Sequence, residues 1–146
     1  MTAIIFPLVL GLCVIATTAR AQTAPHAVVD DGIPAALSEK PGDAARGREI
    51  VVNRQIGMCA LCHQVPSATD RFQGDIATNL TGASTRLTVP QLRARIVDSR
   101  RVNAQSVMPA YYQSSGLTRV GVSWRDRPIL DAQQVEDVVA WLATLK

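Results

Sequence analysis

The stretch Cys59-Ala60-Leu61-Cys62-His63 constrains this chain more than any other. Two thiols three positions apart, followed at once by an imidazole, form the attachment signature of c-type haem. The thiols can add to the two vinyl groups of one porphyrin, and the next residue can then bring its imidazole under the iron. Cys59 and Cys62 are the thioether candidates, and His63 is the candidate proximal ligand. Two other chemistries use the same residue types. A structural zinc site needs four ligands, and beyond the motif only His26 remains, in a segment with little sign of regular structure. A redox-active dithiol of the thioredoxin type needs strands around it, and no stretch of this sequence alternates convincingly.

The first residues point to the compartment. Ile4 to Ala16 is an apolar run of signal-peptide length, too short to span a bilayer, and Ala19-Arg20-Ala21 supplies the small-residue cleavage pattern. Residues 1–21 are therefore expected to be a signal peptide cut after Ala21. The remaining chain keeps two cysteines, both in the motif, and a near balance of 14 basic and 12 acidic side chains. Export to a periplasm is the expected destination, where a close cysteine pair would not persist as a free dithiol. No later stretch is long and apolar enough to cross a membrane. The whole-chain charge of +3 is too small to argue for nucleic acid.

Residues 22–40 read as an N-terminal extension and 41–146 as one domain. Asp43 can cap a first helix in which Gly47, Ile50 and Val51 share a face, running to about Ile56. Glycine inside a helix costs about 1 kcal/mol against alanine, so Gly47 is expected to let another helix approach closely. Residues 64–86 read as loop. Thr88-Val89-Pro90-Gln91 forms a capping box for a middle helix with Leu92, Ile96 and Val97 buried, ending near Arg100. Residues 102–127 carry no helical period. Asp131 and Gln134 open a last helix with Val135, Val138, Val139, Leu142 and Leu145 inside and Glu136, Asp137 and Lys146 outside. The chain thus reads as a mainly α single domain. Aromatic residues are only 4%, and three short helices bury little by themselves, so one covalent haem is expected to complete the core.

The far side of the iron needs a sixth ligand or stays open. Met58 directly precedes Cys59 and cannot reach over the ring. Met108 lies 45 residues after His63 in the long unpatterned segment, and Pro109 biases it to an extended conformation suited to a ligand loop. Met108 is the expected axial ligand, with His26 as the weaker candidate. A thioether ligand raises the iron's potential relative to a second histidine. Eight arginines (Arg86, Arg93, Arg95, Arg100, Arg101, Arg119, Arg125 and Arg127) face only Asp98 and Asp126 in the same stretch. They make either a solvated face with some haem-propionate pairing or a docking surface for an acidic partner or anionic substrate. Tyr111, Tyr112 and Trp124 can wall a haem crevice or sit in an interface.

Gly47, the 59–63 motif, the methionine loop and the helix with Val138 and Trp141 together resemble the class I cytochromes c. The resemblance implies that the first and last helices cross, with Gly47 giving room to Trp141. It also implies that a backbone carbonyl after the motif holds the proximal imidazole. The family's proline there is replaced by Thr78, in Ala77-Thr78-Asn79-Leu80. Phe72-Gln73-Gly74-Asp75-Ile76, Leu92 to Arg101, Val107 to Tyr112, Gly116-Leu117-Thr118-Arg119-Val120 and the stretch from Ile129 to Ala140 resemble the SoxX family. These are the small c-type cytochrome subunits of SoxAX complexes. The resemblance covers most of residues 43–146. It implies a periplasmic heterodimer with a SoxA-like subunit that oxidatively couples thiosulfate to a cysteine of a SoxYZ-like carrier, an L-cysteine S-thiosulfotransferase. Electrons would leave to a small cytochrome c. With Cys59 and Cys62 spent on haem, any cysteine nucleophile must lie on the partner. The rival reading is a free diffusible electron carrier with no obligate partner. A peroxidase or gas sensor would need an open iron.

Overall fold

The computed structural model describes residues 26–66, 69 and 71–146. The expected leader over residues 1–21, with its cut after Ala21, lies outside the described residues. Among those described, four helices form: α1 (Ala44–Val52), α2 (Ala83–Arg86), α3 (Val89–Asp98) and α4 (Ala132–Leu142). Single 3-10 turns occur at Cys59–Leu61, Ser99–Arg101 and Val122–Trp124. The described residues contain no strand, only an isolated bridge between Val29 and Gly32. The expected mainly α class is observed.

Each long helix starts where its capping chemistry sits. The Asp43 carboxylate accepts from Ala45 N and Arg46 N, at 2.8 and 3.0 Å. Thr88 and Gln91 form the expected capping box on α3, and Asp131 and Gln134 form the one on α4. The end of α1 differs from expectation, at Val52 and not near Ile56. Asn53 explains it: its side chain accepts from Gln55 N and Ile56 N, and its carbonyl accepts from Met58 N at 2.9 Å. These local bonds compete with further helical pairing. The stretch 64–86, read as loop, contains the single turn of α2, four residues being too few to show a period.

The helices meet through a close approach. A Cβ on Gly47 would overlap the Asp137 carbonyl and lie 3.0 Å from Trp141 Cβ. Only glycine lets α1 sit so near α4, as expected. Val51 from α1 and Val135 and Val138 from α4 are almost fully buried; α3 packs on α4, and its Leu92, Ile96 and Val97 are buried in the same core. Each such aliphatic side chain contributes about 1.5–3 kcal/mol by leaving water.

The polar face of α4 departs from the periodicity reading. Glu136 and Asp137, expected outside, are both buried. Each has a distant partner that a local pattern does not reveal. Arg93 on α3 donates to both Glu136 carboxylate oxygens, at 2.7 and 2.9 Å, and Leu37 N donates to Glu136 Oε1 at 2.9 Å. Arg46 on α1 donates to both oxygens of Asp137, at 2.8 and 2.9 Å, and Asp43 N and Gln133 add further donors. Arg93 also donates to the Ile33 carbonyl at 2.6 Å. The segment before α1 is therefore strapped down without regular structure: Ile33 is almost fully buried and its N–H donates to the Pro90 carbonyl.

Gly47→Val should destabilise the folded protein by about 3 kcal/mol through backbone overlap, read as a lower denaturant midpoint. Burial pushes the Asp137 carboxyl up, but hydrogen bonds from Arg46, Asp43 N and Gln133 outweigh it and hold it below its ordinary range. A carboxylate with a depressed folded pKa stabilises above the ordinary carboxylate range and loses that contribution as pH falls through it. Thermal midpoints measured from neutral pH into acid should therefore drop, and Asp137→Asn should flatten that limb.

Candidate functional site

The haem-type motif sits in a tight turn just after α1. Met58 takes a left-handed conformation, φ 57°, which turns the chain into the 3-10 turn Cys59–Leu61. Cys62 N and His63 N both donate to the Cys59 carbonyl, at 3.1 and 2.9 Å. The two cysteines and the histidine are thus brought together in one short turn, each partly exposed. The loop that follows is laced back onto it: Gly74 N donates to the Ala60 carbonyl and Ala77 N to the Cys62 carbonyl. A Cβ on Gly74 would overlap the Leu61 carbonyl, so this closeness requires glycine.

His63 Nδ1 lies 2.6 Å from the Thr78 carbonyl oxygen. A carbonyl only accepts, so Nδ1 is the donor in this contact, and Nε2 is the ring nitrogen left to face a metal. A metal-ligating imidazole is commonly oriented by such a partner behind it. The contact uses the backbone of Thr78, so the absent proline does not prevent it.

Met108 lies in the long segment after α3, partly buried against the core to which Cys59 also packs. Its carbonyl accepts from the buried Ser99 hydroxyl at 3.3 Å, and its N–H donates to Ser106 Oγ at 3.3 Å. Ser99 and Ser106 are bonded to each other at 2.7 Å. Three residues on, Tyr111 N and Tyr112 N donate to the Ile96 and Val97 carbonyls near the end of α3. The long loop is therefore pinned at both sides of the methionine. His26 lies elsewhere, its ring 5.8 Å from that of Tyr112.

Burial pushes the Cys59 thiol up to about 11. A thiol so protonated at neutral pH is a poor nucleophile. Among the described residues no group of three or more His, Cys, Asp or Glu is placed to hold a metal ion. No described helix is long and apolar enough to cross a membrane.

The cytochrome c family model matches residues 44–146. The chain belongs to the cytochrome c family. It is also similar to a chain in the crystal structure of SoxXA from P. pantotrophus, with 38% identity over 82% of this chain and 93% of that one, at a TM-score of 0.76. No curated protein matches. The likeness to SoxX read from the sequence is borne out, and this cytochrome c carries one covalent haem c.

The residues present fit that group. Two thiols and an imidazole held through its Nδ1 share one turn. Large apolar side chains on the adjoining loops, Phe72, Ile76 and Val107, are each more than three-quarters exposed.

The other sequence candidates divide. Tyr111 is buried, whereas Trp124 lies on the surface with the Arg127 guanidinium 5.1 Å above its ring. Arg93 is internal, Arg86 donates to the Thr81 and Asn79 carbonyls, and Arg95 and Arg100 pair with Asp31 and Asp98. Half of the arginine cluster therefore holds the fold, leaving Arg101, Arg119, Arg125 and Arg127 exposed on its surface. Ser99→Ala should cost about 1 kcal/mol by releasing the Ser106–Met108 anchor, measured by denaturation followed at the haem absorption.

Proposed function

We propose that this cytochrome c is the electron-transfer subunit of a SoxAX-like heterodimer exported to the periplasm. Cys59 and Cys62 hold the haem through thioethers, and His63 and Met108 bind its iron axially. The observation that carries the reading is the 38% identity with a SoxXA chain across most of both chains. The anchored His63 ring and the pinned Met108 loop support it.

The haem supplies a one-electron couple. The protein's part is to hold that couple in a fixed coordination. The Thr78 carbonyl fixes the imidazole, and the Ser99–Ser106 pair fixes the backbone on either side of the Met108 side chain. With Cys59 and Cys62 consumed, the exported chain offers no thiol for a sulfur intermediate. A cysteine nucleophile must then come from the SoxA-like partner. Coupling thiosulfate sulfur to a carrier cysteine removes two electrons, so the chain takes them singly from the partner's site and passes them to a small cytochrome c. The exposed Arg101, Arg119 and Arg125 suit an acidic docking face.

Native purification from the periplasm should give a stable heterodimer on size exclusion, and its haem should become reduced when thiosulfate and a SoxYZ-like carrier are added together. A monomer unaffected by thiosulfate would favour the free carrier instead. Met108→Ala should abolish the sulfur–iron charge-transfer band of the oxidised protein and lower its midpoint potential.

A further inference from the structure

We propose that Tyr111 is a positioning residue that locks the methionine loop to the haem-attachment turn through the Gly57 carbonyl. The proposal rests on Met108 being an axial ligand. Tyr111 lies three residues after Met108, and its hydroxyl donates to the Gly57 carbonyl at 2.6 Å, a buried contact across 54 residues of sequence. Gly57 lies two residues before Cys59, so this one bond ties together the two sides of the haem site.

Both ends of the bond are held rigidly. Tyr111 N donates to the Ile96 carbonyl at 3.2 Å, and the Tyr111 carbonyl accepts from Leu130 N at 2.9 Å. At the other end, a Cβ on Gly57 would overlap the Ile50 carbonyl of α1, so the acceptor is wedged against that helix. Only Pro109 and the buried Ala110 separate Tyr111 from Met108, leaving little slack.

Haem attachment makes this bond more important. The Gly57 carbonyl also accepts from the Cys59 thiol, at 3.3 Å. Thioether formation joins Sγ to one vinyl carbon and moves the thiol hydrogen to the other. Cys59 then has no proton to donate. Among the described contacts, Tyr111 becomes the sole donor to a buried carbonyl. A buried carbonyl left without a donor is costly. Swinging the methionine loop away from iron would break that bond, so Tyr111 holds the sixth position closed. Burial keeps the Tyr111 phenol well above its ordinary range, so it stays a donor across working pH.

The test uses the haem-loaded protein with imidazole as a competing iron ligand. Tyr111→Phe keeps the ring and removes the donor. Imidazole should then displace the sulfur–iron band at concentrations at least about fivefold lower, the effect of losing one hydrogen bond of ordinary net strength. Tyr111→3-fluorotyrosine, a stronger donor of nearly the same size, should shift the midpoint the other way. Val138→Ala, a core variant away from the loop, should lower thermal stability without changing the imidazole midpoint. Unchanged imidazole binding in Tyr111→Phe, or an equal change in Val138→Ala, would overturn the role. A wild-type protein without the sulfur–iron band would overturn Met108 ligation itself, and this role with it.

Discussion

The backbone contact between α1 and α4 at Gly47 organises this cytochrome. Without a side chain at that point, α1 lies against the Asp137 carbonyl and the Trp141 stem. The same approach puts Arg46 against Asp137 and lines Val51 up with the aliphatic face of α4. Because α1 ends only a few residues before Cys59, fixing α1 also fixes where the attachment turn begins. Gly57 repeats the device on a smaller scale, with no room for a Cβ beside the Ile50 carbonyl.

Around that frame the haem site is built unequally. The motif side is local: three residues in one turn and a carbonyl fifteen positions on that orients the His63 ring. The segment bearing Met108, the proposed axial ligand, has no helical period and depends on small anchors. Ser99, Ser106 and the backbone bonds of Tyr111 and Tyr112 hold it to α3, and the Tyr111 hydroxyl reaches the attachment turn. A loop of this length is tolerable because hydrogen bonds replace the regular structure it lacks.

Much of this was legible in the residues. The attachment motif announces itself by spacing, the capping boxes at Thr88 and Asp131 mark two helix starts, and an interior glycine marks the crossing. What stayed hidden depends on partners far along the chain. Periodicity assigns Glu136 and Asp137 to solvent because it sees only neighbours on one helix. Their burial is made possible by Arg93 and Arg46, 43 and 91 residues away. The early end of α1 was hidden for another reason: Asn53 ends the helix through its own side-chain bonds, which the spacing of apolar residues does not reveal. Tyr111 could be read as a wall or an interface ring, and only its bond to Gly57 shows that the hydroxyl matters as much as the ring.

The whole reading turns on covalent attachment at the turn beginning with Cys59. Trypsin should release residues 55–71, bounded by Arg54 and Arg71, as one peptide containing both cysteines and His63. Mass spectrometry of that peptide from the mature protein should show one haem added and no thiol open to alkylation. An unmodified peptide mass with two alkylatable thiols would contradict the central claim.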